Sequence, residues 1–205
     1  MTASRLVLWR HGETDWNAAG RMQGHLDIPM NATGERQARA AAAVLAEQHP
    51  ATRIVSSDLT RAQTTARMLA DLTDLPVATD KRLREINVGE WVGLTYDDII
   101  ATDPRLCEAM RRGDDVRRSQ SGENATELGL RVAAALRDIV EEAEDGESVV
   151  VVTHGLAALY GAVFLAGGDF EDSRMLGVIQ NCAWVVMAPD RHDAWRIRQY
   201  NVHAF

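Results

Sequence analysis

A chain of 205 residues, 46% hydrophobic and 25% charged, is long enough to bury one sizeable core and has the composition of an ordinary globular protein. Its formal net charge of −8 excludes a general nucleic-acid surface, and no apolar run reaches the length of a membrane span. Met1 to Arg5 lacks the basic-then-apolar plan of a signal peptide, so a cytoplasmic location is expected. Cys107 and Cys182 stand alone and read as free thiols, neither a disulfide framework nor a zinc site. All cationic side chains but Lys81 are arginines, whose planar fork matches phosphate and carboxylate oxygens.

In chain order, Arg5 to Arg10 reads as a strand that stops abruptly in Arg10-His11-Gly12. Asn17 to Asn31, with Gly20, Gly24 and Pro29, reads as a polar loop. From Gly34 to Glu47, Ala38, Ala41, Ala42 and Leu45 recur at helical spacing. Arg53 to Ser56 is a second strand, after which Ser57-Asp58 offers an N-cap to a helix striped by Leu59, Ala62, Ala66, Leu69 and Ala70. Pro76 to Thr79 reads as a third strand. Residues 84–123 then loosen into an excursion over the sheet edge, with short helices at Tyr96–Ala101 and Pro104–Arg112. Asn124, with Glu127 three residues on, begins a long helix as a capping box. Ser148 to Thr153 carries four consecutive valines, the pattern of a central parallel strand, and ends in His154-Gly155 before a helix over 156–165. Val178-Ile179 with Ala183–Met187 reads as one strand and Ala194–Tyr200 as another, paired antiparallel. The expected architecture is a single α/β domain over residues 1–205: a three-layer sandwich with a mostly parallel central sheet, an antiparallel edge strand, helices on both faces and a short lid.

Two strands therefore end alike, in Arg10-His11-Gly12 and Thr153-His154-Gly155, and a third feeds a helix whose first turn holds Arg61. In a doubly wound sheet, ligands bind beyond the carboxyl ends of the strands, where these three ends can meet. Arg10, Arg61 and His154, with amides at helix starts, suit a doubly charged tetrahedral anion. His11 is the candidate nucleophile and Glu85, in the excursion, the candidate proton donor for a leaving oxygen.

These residues carry a resemblance. Arg10-His11-Gly12-Glu13-Thr14 with Asn17 resembles the signature of the histidine phosphatase (phosphoglycerate-mutase-like) superfamily. Arg21, Gln23-Gly24, Asp27 and Pro29 are similar to the loop that follows it. Ser56 to Leu59 with Arg61-Ala62, then Leu83 and Glu85 with Gly89, Trp91 and Gly93, then His154-Gly155, match the later blocks in order. The block order and the tail Trp195 to Asn201 are similar, within the family, to the glucosyl-3-phosphoglycerate phosphatases.

The resemblance implies that His11 becomes phosphorylated, that Glu85 donates the proton, and that Arg10, Arg61 and His154 bind the phosphoryl group with Asn17, Gln23 and Gly24 as further contacts. It implies no metal and no organic cofactor. The expected partner is a small phosphorylated metabolite, with no nucleic acid and no membrane, and the apolar C-terminal strands allow a homodimer. Asn124 stands where family members often carry a serine, and Leu156 to Leu159 lacks the arginine that many place shortly after the second His-Gly.

The mutases of the family carry a longer insertion between the acid and the Gly-Glu segment, whereas Glu85 and Glu123 are 38 positions apart here (123 − 85). A short lid suits hydrolysis, since a mutase must exclude water while the phosphoryl group is handed back. The expected activity is thus phosphomonoester hydrolysis. The alternatives are a phosphoglycerate mutase, and a phosphoprotein phosphatase or phosphate-binding signalling module. Arg111, Arg112, Arg117 and Arg118 read either as a solvated basic patch or as contacts to a second anionic group of the substrate. Met22, His25, Trp91 and Tyr96 are candidates for the leaving-group pocket.

Overall fold

The computed structural model describes residues 3–204; Met1 and Thr2, part of the segment read for a leader, and Phe205 lie outside the described residues. The first half of the chain forms β1 (Arg5–Arg10), α1 (Asp15–Ala18), α2 (Ala32–Gln48), β2 (Arg53–Ser56), α3 (Thr60–Thr73) and β3 (Val77–Thr79). Two 3-10 turns, Lys81–Leu83 and Gly89–Trp91, lead to α4 (Tyr96–Thr102) and α5 (Pro104–Arg112). The second half forms α6 (Ala125–Glu141), β4 (Ser148–Thr153), α7 (Gly155–Leu165), α8 (Phe170–Ser173), β5 (Trp184–Pro189) and β6 (Trp195–Val202).

Alternation along the central strands divides the core in two. Leu6, Leu8, Val149 and Val151 join one apolar cluster with α6 and α7, while Val7, Trp9, Val150 and Val152 join the other with α2 and α3. Successive strand side chains point to opposite faces, so an uninterrupted valine run such as β4 is stable only when both faces are covered. The result is the three-layer α/β sandwich the pattern implied.

The strand order is β3-β2-β4-β1-β5-β6. β1, β2, β3 and β4 are parallel, and β5 pairs antiparallel with both β1 and β6. The reversed strand is thus one in from the edge, and a tight turn closed by Asp190 N donating to Ala194 O (2.8 Å) returns β6 beside it. Two local expectations change. The strand expected to include Val178-Ile179 begins only at Trp184, because the backbone before it turns away to serve the site, with Cys182 in the left-handed region (φ 56°). The cap of α3 is not Ser57 or Asp58 but Leu59, which has no capping side chain, and Asp27 from the polar loop accepts from Thr60 N (2.8 Å) and Thr60 Oγ1 (2.6 Å) instead. Among the described residues no helix is long and apolar enough to cross a membrane.

The connection after β1 leads to α2 on one face of the sheet, and that after the neighbouring β4 leads to α7 on the other. Such a reversal opens a crevice beyond the carboxyl ends of the two strands. Arg10 pairs with Thr153 in the register, so His11 and His154 leave the sheet side by side.

Candidate active site

His11 is 3% exposed, and its Nδ1 lies 2.7 Å from the carbonyl oxygen of Gly12. A carbonyl only accepts, so Nδ1 carries the proton and Nε2 keeps its lone pair. The close approach that makes this turn possible requires glycine twice. A Cβ on Gly12 would stand 2.3 Å from the Gly34 carbonyl, and one on Gly34 would stand 2.1 Å from the Glu13 carbonyl. Asn181 Nδ2 donates to the His11 carbonyl (3.1 Å) and Cys182 N to the same oxygen (3.3 Å), which holds the residue from behind.

Three further groups surround the imidazole. The ring of His154, fully buried, meets that of His11 edge to face at 5.0 Å between centroids. Arg61, 1% exposed, donates from Nη1 to Leu26 O (2.8 Å), from Nη2 to Gly24 O (2.8 Å) and from Nε to His154 Nδ1 (3.3 Å). His154 Nδ1 is therefore an acceptor, so its Nε2 bears the proton and donates to Ser57 Oγ (2.9 Å). Arg10 donates from Nη1 to Ile179 O (2.6 Å), while its buried Nε has no protein partner.

Burial first, then the charges of Arg61 and Arg10, hold His11 well below the ordinary histidine value, and burial with Arg61 does the same for His154. Both rings are neutral at pH 7. Burial also lowers Arg61 to about 10, still far above neutrality, so the crevice keeps its guanidinium charge.

Glu85 approaches from the excursion and sits at the start of α7. Its Oε2 accepts from Leu156 N (3.1 Å), and its Oε1 accepts from Ala157 N (3.1 Å) and Ile86 N (2.9 Å). A helix start offers amides without intrahelical partners, and here a carboxylate takes two of them. Asn17 uses its amide oxygen in the α1 capping box with Thr14, and the residue lines the cavity. Gln23 is buried with Oε1 unpartnered, and Gly24 (φ +51°) turns its carbonyl to Arg61.

Arg10, His11, Asn17, Gln23, Gly24, Arg61 and Glu85 all line one cavity of about 130 Å³. His154 stands immediately behind it, against His11 and Arg61. Arg21, Met22, Ile86, Val88 and Leu156 complete the walls. Of the other leaving-group candidates, Trp91 belongs to the core, Tyr96 is exposed, and His25 Nε2 bonds the Glu85 carbonyl (2.8 Å). Sequence reasoning named Ser57 and Asp27 only as members of matching blocks, without these bonding roles, and missed Asn181 and Arg131. Arg131 is a hub on α6: it donates to the carbonyls of Arg82 (2.7 Å), Arg84 (3.0 Å) and Glu85 (3.1 Å) and to both oxygens of Glu123 (2.8 and 2.7 Å). Neither Asn181 nor Arg131 carries a local sequence pattern that marks such a role. Among the described residues no group of three or more His, Cys, Asp or Glu side chains could hold a metal ion.

A doubly wound sheet whose switch point gathers a neutral buried histidine, one buried and one half-buried arginine, a second histidine and a carboxylate defines a phosphate-handling α/β enzyme. The family model described as the histidine phosphatase superfamily (branch 1) matches residues 6–203, and the chain belongs to that family. It is a hydrolase of the histidine-phosphatase type, a phosphomonoesterase for small phosphorylated metabolites. It is 40% identical over 197 residues to a glucosyl-3-phosphoglycerate phosphatase of Mycolicibacterium vanbaalenii, with 92% of this chain and 85% of the relative covered. It is 41% identical over 153 residues to a probable phosphoglycerate mutase of Yersinia pestis, covering 75% of this chain and 70% of that one. The solved mycobacterial glucosyl-3-phosphoglycerate phosphatase in complex with VO3 superposes with a TM-score of 0.88 at 34% identity, over 98% of this chain and all of that one (100%).

Proposed function

We propose that residues 1–205 act as one domain that hydrolyses phosphoglycerate-type monoesters, glucosyl-3-phosphoglycerate first among them, through a phosphohistidine on His11. The observation that carries this reading is the fixed tautomer of His11: Nδ1 is tied to Gly12 O, and the ring is neutral, so Nε2 offers a lone pair at neutral pH. In the first step Nε2 attacks phosphorus, the bond to the ester oxygen breaks, and the Glu85 carboxyl gives that oxygen its proton. In the second step water attacks the phosphohistidine, Glu85 takes a proton from it, the P–N bond breaks and phosphate leaves.

Arg10 and Arg61 stabilise the equatorial oxygens, where charge is spread during transfer. Because Arg61 is already clamped to two carbonyls, it needs no reorganisation when the substrate arrives. Asn17, Gln23 and the Gly24 turn complete the cradle, and His154 holds Arg61 in place while lying against the nucleophile.

The test is phosphate release from glucosyl-3-phosphoglycerate, with p-nitrophenyl phosphate as a generic ester, in excess chelator. Wild-type protein is expected to release phosphate from both, and His11→Ala to lose at least about 10⁴-fold in kcat on both. Interconversion of phosphoglycerates without phosphate release would establish a mutase instead. Activity that needs added metal, or survives His11→Ala, would overturn the mechanism.

A further inference from the structure

Two side chains hold the backbone carbonyl of Glu85. Arg131 Nη2 reaches it from α6 (3.1 Å), and His25 Nε2 reaches it from the polar loop after β1 (2.8 Å). A carbonyl only accepts, so His25 Nε2 carries the ring proton, and the two donors use both lone pairs of the oxygen. His25 is half-buried and does not line the cavity of the site, so its ring serves the backbone of the acid rather than the substrate.

The loop that carries His25 is itself clasped to the phosphoryl side. Gly24 O accepts from Arg61 Nη2 and Leu26 O from Arg61 Nη1, both at 2.8 Å, so the two neighbours of His25 grip one guanidinium. Asp27 then accepts from Thr60 N (2.8 Å) and Thr60 Oγ1 (2.6 Å), one residue before Arg61. The left-handed turn at Gly24 (φ +51°) lies against Val88, whose Cγ2 a Cβ there would approach to 2.8 Å. Three consecutive residues thus bond Arg61 through the carbonyls of 24 and 26 and Glu85 through the side chain of 25.

Burial is the main cause that lowers the His25 pKa, and the charges of Arg131 and Arg84 add to it against the Glu85 carbonyl bond and Glu123. The ring is therefore neutral at pH 7. A neutral donor suits the position, because a lysine or arginine would set a third cation beside Arg84 and Arg131.

We propose that His25 is a positioning residue for the proton donor: its bond to the Glu85 carbonyl fixes the acid relative to Arg61, and so to the ester oxygen of a phosphoryl group held there. The inference rests on the phosphomonoesterase reading and assigns that site a further working part. The Glu85 carboxylate is anchored only to Leu156 N, Ala157 N and its neighbour Ile86 N, so a displaced backbone at 85 draws it off line. Proton transfer needs the acid within hydrogen-bond reach of the leaving oxygen, and a misplacement of about 1 Å can cost about 10²-fold. Arg131 stays on the same carbonyl when His25 is lost, so the expected loss is smaller, about tenfold.

The test compares 3-phosphoglycerate, whose alkoxide must be protonated to leave, with p-nitrophenyl phosphate, whose leaving group needs no proton. His25→Leu should lower kcat/KM about tenfold on the first and less than about twofold on the second. Inhibition by inorganic phosphate should change less than about twofold, because the phosphoryl clamp is untouched. His25→Gln, which returns an N–H donor at similar reach, should recover most of the loss; His25→Ala replaces His25→Leu if the latter does not fold. An equal fall on both esters, no fall on 3-phosphoglycerate, or no recovery in His25→Gln would overturn the role.

If the wild type hydrolyses neither ester, the phosphomonoesterase reading has failed on its own account, and His25 is judged by amide hydrogen exchange; the same holds if 3-phosphoglycerate alone is spared. The amides of Leu156 and Ala157 stand in the first turn of α7 and are covered by Glu85 alone. In His25→Leu they should exchange about tenfold faster, while Gly12 N, bonded to Thr65 Oγ1 (3.1 Å), keeps its rate. Unchanged exchange at 156 and 157, or an equal rise at Gly12, would mean that His25 does not position the acid.

Discussion

The two sides of the crevice are built by different means. On the phosphoryl side, the ends of β1 and β4 and the start of α3 place His11, Arg10, Arg61 and His154 directly on the rigid sheet. Each has at least one polar atom tied to a backbone carbonyl or to another of the four. On the leaving-group side, the chain between β3 and α6 has only short helices and no strand, and carboxylates hold it. Glu90 accepts from Gln120 N and Ser121 N (3.1 and 3.2 Å), Glu123 locks Asn87 and Arg131, and Asp58 takes the Arg84 guanidinium through both oxygens (2.7 and 2.6 Å). Under the proposed function the first side would serve any phosphoryl group, while the second could change its cargo without disturbing the sheet.

The largest test of that division is Glu85, the one residue that joins both sides. Glu85→Gln keeps an acceptor for the α7 amides but has no proton to give. Its kcat on an alkyl phosphate should fall about 10²- to 10³-fold, and on p-nitrophenyl phosphate, whose leaving group needs no proton, less than about tenfold. Equal losses on both esters would remove Glu85 from the acid role. Arg131 comes next, since it touches no substrate-facing atom and acts only by holding the acid-bearing segment. Arg131→Lys replaces five charge-assisted hydrogen bonds with few. It should lower stability by about 2–4 kcal/mol in urea unfolding. Its kcat for alkyl esters should fall about tenfold, with KM for phosphate binding little moved.

The smallest expected effect is in pH dependence and belongs to the phosphoryl side. Both His11 and His154 are held well below 6.5 in the folded chain. The unfolded chain takes up protons near pH 6.5 that the folded one refuses. Their contribution is therefore complete above that pH and is lost as pH falls below it, by up to about 1.4 kcal/mol per pH unit for each ring. Urea unfolding between pH 7.5 and 5.5 should show this slope, and His154→Gln should lose one proton's share of it. An unchanged slope in that variant would mean that the ring is protonated in the folded state.

Much of the phosphoryl side was legible in the sequence because it lies at strand ends. The valine run of β4 and the apolar run of β1 announce buried parallel strands, and a histidine directly after such a strand has few places to go but the crevice. The capping box at Asn124 was equally local and is present, with Asn124 Oδ1 accepting from Glu127 N (2.8 Å). The lid was legible only as a region. Its contacts run between residues far apart in the chain, such as Ser119 Oγ to Val88 O (2.8 Å), and no periodicity records them.

By itself the sequence determined the layers, the strand ends and which residues are the candidate reacting groups, because burial and chain direction are written in local patterns. Only the tertiary structure decided which nitrogen of each histidine carries the proton, through Gly12 O on one ring and Arg61 and Ser57 on the other. It also decided how lid arginines pair, Arg112 with Asp114 and Arg117 with Glu127. Both outcomes depend on which donors and acceptors meet across the fold, and hydrogen-bond partners become exclusive only once the chain has brought them together.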